Sequence, residues 1–350
     1  MSDIAEEIDL SHAGARVTGH GLDAWFLEAR EMLKLAWPLV LTQLAQMAIM
    51  TTDVVMLGRL GKTALASAAL GNTVFFFTWL IGCGPVAAVS PMIAHILGEN
   101  PKNRAGVRSA TRMGFWSVLI LSVPLVGFLL MARHTLLFLD QTDELATNAG
   151  VFVTALCLGL PFSLGYQVLR NFSTALSKPN ASLWVMGFAI FFNALGDYTL
   201  IFGHFGFPKL GLMGSGIASA CSYAFSFFAM VLVVRLMPAL NKYRIWRRFH
   251  RPHIEKLWEV FRLGMPIGMT MIFEAMLFNS ATLIMGTFGT ANVAAHMIAL
   301  NVPSITFMVP LGIGMAATVR VGLAAGARDG EAVRRAGWLA IGMAAVFMFC

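Results

Sequence analysis

Polar and apolar positions along this chain fall into long blocks. Apolar residues fill nine runs, at about 35–57, 66–97, 113–132, 147–170, 181–203, 211–236, 261–286, 291–325 and 336–350. A helix needs about 20 apolar residues to cross the hydrocarbon of a bilayer. The runs lack the strict alternation of a transmembrane strand and are too long for one, which excludes a β-barrel. The pattern predicts an all-α, polytopic membrane protein. The second and eighth runs are over-long, and Gly82-Cys83-Gly84-Pro85 predicts a bend inside the second. Such breaks survive where neighbouring helices satisfy the freed backbone groups. Trp25 to Lys34 predicts an amphipathic helix leading into the first span.

The blocks also repeat. Leu35-Ala-Trp-Pro38 returns as Leu263-Gly-Met-Pro266, an offset of 228. At that offset Thr42 matches Thr270, Gly58 matches Gly286 and Gly61 matches Gly289, while Gly82-Cys-Gly84 matches Gly312-Ile-Gly314 two residues later. The seventh span therefore restarts the first, and six spans form one unit. An even number of spans makes the two copies parallel, one of the repeat architectures of secondary transporters. The second copy holds only spans 7 to 9, and the chain stops mid-run at Cys350, so a truncated twelve-span protein is expected. The expected divisions are a tail with amphipathic helix at 1–34, a first six-helix bundle at 35–240, a basic linker at 241–260 and an incomplete second bundle at 261–350.

Composition narrows the class. The chain is 57% hydrophobic and 12% charged, against about 25% charge in a soluble domain. Mean hydropathy is +0.72. Surface this apolar must face lipid. The cysteines, Cys83, Cys157, Cys221 and Cys350, lie apart within apolar runs and read as small hydrophobes, not as a disulfide or zinc framework. The first 24 residues are polar and acidic, so they are not a signal peptide.

The net charge of +7 is unevenly placed. Assigning each Lys and Arg to the gap beside its run, Arg170 and Arg320 included, puts 21 on one side of the membrane and 4 on the other. That asymmetry predicts a cytoplasmic N-terminus in a multi-pass inner-membrane protein. The loop from Lys242 to Lys256 then faces the cytoplasm and touches anionic lipid rather than nucleic acid.

Three carboxylates fall deep in apolar runs: Asp53, Asp197 and Glu274. A charge at that depth costs about 2.5–3.5 kcal/mol on insertion scales, so a cavity, a cation or a polar partner is expected. Thr42, Gln46 and Asp53 lie within about 40° of one helix face. Asn193 with Asp197, and Thr270 with Glu274, share faces at i, i+4. Gln46 aligns with Glu274 in the repeat. Asp53 lies about 22 Å along a helix from Pro38, and Asn193 and Asp197 about 21 and 27 Å from Pro179. Asp53, Asn193 and Asp197 should therefore meet at one depth. Two carboxylates together do not both stay ionised cheaply without a shared proton or a bound cation. Hard oxygen ligands suit Na⁺ or H⁺, with Glu274 or Asp53 the candidate position for Na⁺, Thr42, Gln46 and Thr270 in support, and no organic cofactor. Met265, Met269, Phe273, Met276 and Phe278 surround Glu274, and Phe75, Phe76 and Phe77 lie in span 2. Thioethers and rings of this kind accept varied apolar cations. The deep ionisable side chains read as acids, which favours cationic cargo. The matches to GxGxxA at Gly82 and Gly312 lie in membrane runs with no preceding strand, so dinucleotide binding is rejected.

Together these residues resemble the multidrug and toxic compound extrusion (MATE) family, above all its bacterial NorM-like branch. The resemblance covers about residues 30–350. It rests on Pro38 with Thr51-Thr52-Asp53-Val-Val-Met-Leu-Gly58, on Ser177-Lys178-Pro179, on Asn193-Ala-Leu-Gly-Asp197 and on Pro266 with Phe273-Glu274. It implies two six-helix bundles in a V, alternating access, antiport of drugs against Na⁺ or H⁺, and cation-linked roles for Asp53 and Glu274. An acid at Asp197 looks more like the DinF-like branch. A monomeric multidrug efflux transporter is expected. The rivals are a lipid-linked precursor flippase, which would line its cavity with arginines, and a membrane-embedded enzyme, which would not need the repeat.

Overall fold

The structure, a computed structural model, describes residues 22–349 apart from 205, 207, 248, 250–252 and 287–289. Among the described residues, thirteen helices run in order: α1 (Leu22–Gly58), α2 (Lys62–Ala87), α3 (Val89–Glu99), α4 (Arg104–Leu130), α5 (Ala132–Phe138), α6 (Asp143–Leu156), α7 (Gly159–Ala175), α8 (Asn180–Phe202), α9 (Leu212–Leu236), α10 (Pro238–Asn241), α11 (Ile254–Gly286), α12 (Thr290–Gly326) and α13 (Gly330–Phe349). Among the described residues there are no strands. Helix is the expected form, because an open sheet edge in lipid would leave backbone groups unpaired.

Among the described residues, eight helical stretches are long and apolar enough to cross a membrane, and a ninth if the α6–α7 pair, bent by 49°, is one span. All nine apolar runs are accounted for. Residues 25–34 form one continuous helix with the first span. The second run is broken as expected, but the break falls at Ala88, three residues after Pro85. Gly203 ends α8 with φ 77°, a left-handed cap that glycine adopts without strain. Asn103 caps α4 by accepting from the Gly106 N–H at 2.9 Å.

The main core runs through α2 to α9 and takes in Leu240 of α10, Tyr243 and Ile245 after it, and Val260 of α11. A second cluster joins Met32, Leu35, Ala36 and Leu39 of α1 to Ile313, Ala316 and Val319 of α12 and Ala336 and Ala340 of α13. The repeat is visible in these contacts. Helix α1 packs on α12, and its counterpart α11 packs on α2. A Cβ on Gly84 would meet the Gly268 Cα at 2.9 Å, and one on Gly312 would meet the Val40 backbone nitrogen at 2.9 Å. The glycines of the rejected dinucleotide motif are thus helix-packing positions, where a missing side chain lets two backbones approach. Thr42 Oγ1 donates to the Pro38 carbonyl at 2.7 Å, and Thr270 Oγ1 donates to the Pro266 carbonyl at 3.0 Å. Matched residues make the same bond in both copies.

Two basic side chains need correction. Arg170, counted above with a loop, lies inside α7 and is 1% exposed. Arg320 likewise lies within α12 and is buried, its guanidinium paired with both carboxylate oxygens of Glu28 at 2.7 and 2.6 Å. A single basic residue between two apolar runs cannot be assigned to helix or loop from hydropathy, because a long side chain paired inside the bundle reads like a loop charge. Removing both from the count leaves its sign unchanged.

Candidate functional site

Helices α1, α8 and α9 converge around three of the sequence candidates. Asn193 and Asp197, one turn apart on α8, are both fully buried. Asp53 projects from α1 against Asp197, Asn193 and Ser219. Ser219 Oγ of α9 donates to Asp53 Oδ2 at 3.3 Å. Asp197 also lies against Ser215. The buried Asp53 Oδ1, both carboxylate oxygens of Asp197 and both polar atoms of the Asn193 side chain have no hydrogen-bond partner among the described residues. Buried polar atoms are nearly always paired, so a cluster of five unpaired ones is unusual. Carboxylate oxygens are acceptors only, and facing acceptors repel unless a proton or a cation lies between them. Two carboxylates, one amide oxygen and hydroxyls form a hard-oxygen donor set that fits a small monovalent cation or a proton. No group of three or more His, Cys, Asp or Glu side chains with metal-binding geometry occurs among the described residues.

The other candidates lie elsewhere. Glu274 is exposed on α11 and is not part of this cluster. Met265, Met269, Phe273, Met276 and Phe278 beside it are exposed as well. Thr42 and Thr270 spend their hydroxyl protons on their own helices. Gln46 faces Arg170, whose Nη1 donates to Gln46 Oε1 at 3.3 Å. Phe75 is buried and stacks on Tyr223 at 6.0 Å between ring centroids.

Sequence reasoning missed the α9 wall. Ser215, Ser219, Ser222 and Ser226 fall on one helical stripe and all are buried, a spacing legible in the sequence. Ser222 and Ser226 donate to carbonyls one turn back, at 2.8 Å each. Arg170 was also missed, and the reading of the deep ionisable side chains as acids is corrected by it. Its guanidinium touches Gln46, Gln43, Gln167 and Met315, from three helices.

The family model described as MatE matches residues 38–199 and 266–350. A "Probable multidrug resistance protein NorM" of Brucella suis biovar 1 is 41% identical over 324 residues, covering 93% of this chain and 69% of that protein. A protein of the same name from Mesorhizobium japonicum is 42% identical over 337 residues, with 96% and 71% covered. Among solved structures, a eukaryotic MATE transporter, AtDTX14, superposes with a TM-score of 0.80 at 21% identity, covering 91% of this chain and 70% of its own. The outward-facing conformation of a multidrug resistance MATE transporter gives a TM-score of 0.80 at 20% identity, with 97% and 72% covered.

Proposed function

This chain belongs to the MatE family, and on that premise we propose that it is a secondary active transporter that expels organic cations or similar drugs in exchange for Na⁺ or H⁺. Members of the family move solutes across membranes, so the chain is a transporter and not an enzyme. The NorM relatives named for multidrug resistance support varied small molecules as cargo. The bilayer is the surrounding partner, and we place the protein in the inner membrane as a monomer with its N-terminus in the cytoplasm.

One observation carries the coupling step: the buried, unpaired oxygens of Asp53, Asn193 and Asp197 face one another. In this reading the cluster holds a proton or a Na⁺ ion. Filling it neutralises two like charges between α1 and α8, and emptying it drives the helices apart. Alternating access then follows if the filled and empty forms favour opposite openings, because a ligand shifts an equilibrium only by its differential affinity for the two states. Asp53→Asn should abolish counter-cation-driven ethidium efflux, whereas Asp197→Asn should shift its dependence on pH or Na⁺ at unchanged expression. The measurement is efflux at acidic, neutral and mildly alkaline pH, with and without Na⁺. Wild-type efflux by both variants in every condition would remove the coupling assignment.

A flippase would need an array of cations for pyrophosphate. Arg320 is neutralised by Glu28, and Arg112 donates to the Arg247 carbonyl at 3.2 Å. Arg170 is taken up by the oxygens of Gln43, Gln46 and Gln167, so these three arginines form no shared array of cations, which favours drugs over pyrophosphate-bearing lipids.

A further inference from the structure

Helix α1 outruns the bilayer. It holds 37 residues, about 55 Å at 1.5 Å per residue, against about 30 Å of hydrocarbon. Pro38 to Gly58 alone gives about 31 Å, enough to cross. The stretch before Pro38 therefore lies at the level of the lipid headgroups.

The two faces of that stretch differ. Glu28, Met32, Leu35 and Leu39 are buried toward α12 and α13. The opposite face is open. Phe26, Arg30, Leu33 and Trp37 fall within about 60° of arc at 100° per residue, with Lys34 beside them. Phe26 is 75% exposed and Trp37 is 66% exposed. Phe26, Ala29, Arg30, Leu33 and Lys34 line an open groove of about 430 Å³. All the spans of the first repeat are described, and none of them covers this face. The second copy turns out the same stripe. At the repeat offset Ile254, Trp258, Arg262 and Met265 of α11 match Phe26, Arg30, Lys34 and Trp37, and all four are exposed.

Water is a poor neighbour for Phe, Leu and Trp on one stripe, and at headgroup depth lipid covers an open face. The basic side chains make the stripe selective. Arg30 has no side-chain partner among the described residues. Lys34 Nζ meets Glu31 Oε1 at 2.6 Å, an exposed pair and so a weak one. A guanidinium forks onto phosphate oxygens, and an ammonium adds a point charge beside it. Both stems can lie along the apolar stripe while their heads reach the phosphate.

We infer that the groove on α1 is a binding site for one anionic glycerophospholipid. Arg30 and Lys34 hold its phosphate, and Phe26, Leu33 and Trp37 lie along its glycerol and acyl chains. A zwitterionic lipid fits less well, because its ammonium cancels the phosphate charge that the two basic groups attract. The matched stripe on α11 carries only Arg262 where α1 carries two cations, so α1 is the stronger site. This assignment stands whatever the transporter carries.

The test is native mass spectrometry of the purified chain, titrated with dioleoyl phosphatidylglycerol or with dioleoyl phosphatidylcholine. The first phosphatidylglycerol should bind about twentyfold more tightly than phosphatidylcholine. Arg30→Gln should weaken it about fivefold, and Arg30→Gln with Lys34→Gln should remove the preference. Both side chains are exposed, so neither substitution opens a cavity. Arg235→Gln removes an exposed cation at the end of α9 and should change nothing. An excess of inorganic phosphate should leave the lipid bound, since phosphate has no acyl chains for the stripe. Equal binding of the two lipids by the wild-type chain overturns the inference, as does an unchanged preference in the double variant. An equal loss in Arg235→Gln would mean diffuse charge attraction instead of a site. Displacement by phosphate would make it an anion site and not a lipid site.

Discussion

At the scale of single residues, similar side chains meet different fates. Asp53 and Glu274 are both carboxylates in apolar runs, one in each repeat but not at matched positions, since Gln46 is the residue that aligns with Glu274. Asp53 is drawn into a cluster with Asn193, Asp197 and Ser219, whereas Glu274 stands exposed among Met269, Phe273 and Met276. A carboxylate without a polar partner in the membrane interior serves best where cargo or a cation supplies one. Glu274→Gln keeps the shape and removes the charge. It should insert normally and lose cation-coupled efflux, read as ethidium export at matched membrane protein levels. Unimpaired export would make Glu274 peripheral to transport. Most of the site was legible in the sequence, because depth along a helix follows from residue count and face follows from spacing. Ser219 was not recognised, since a serine in a membrane helix usually bonds its own backbone, as Ser222 and Ser226 do here.

At the scale of elements, the pairing of α1 with α12 carries an ion pair that the sequence does not announce. Glu28 and Arg320 are 292 residues apart and join through two hydrogen bonds. Both are buried. A buried pair repays its desolvation only while complete, and removing one partner costs about 3–5 kcal/mol. Arg320→Leu should therefore lower the thermal unfolding midpoint in detergent markedly. Glu28→Leu combined with Arg320→Leu should recover much of that loss, since two apolar side chains leave no charge stranded. Additive effects of the two single substitutions would show that the pair is not coupled. The same junction uses glycine where α2 crosses α11 and where α1 crosses α12. The repeat in the sequence thus marks where helices touch as well as where they begin.

At the scale of the whole molecule, the two repeats meet through α1 with α12, α3 with α12 and α2 with α11. The buried stretch of α11 ends at Gly268, and its side chains beyond are largely exposed. Contact is therefore concentrated toward the ends of the helices that carry the basic loops. In the proposed orientation, argued from the basic asymmetry, those ends face the cytoplasm. Asn241, exposed at the end of α10, provides the check. Asn241→Cys, in a chain with its native cysteines replaced, should resist an impermeant maleimide in intact cells and react after permeabilisation. Strong labelling in intact cells would reverse the orientation.

The sequence by itself determined the helical architecture, the nine apolar runs, the parallel repeat and the meeting of Asp53 with Asn193 and Asp197. Each of these depends on local quantities: the length of an apolar run against the thickness of a bilayer, the 3.6-residue period and the rise per residue. Tertiary structure decided the fate of the isolated charges. Hydropathy put Arg170 and Arg320 beside loops, while the fold buries both, one among glutamine amides and the other against Glu28. The physical reason is that the free energy of a buried charge is set by the groups around it. Those groups come from helices distant in sequence, Gln43 and Gln46 on α1 for Arg170 and Glu28 for Arg320, and no local pattern records which of them will be neighbours.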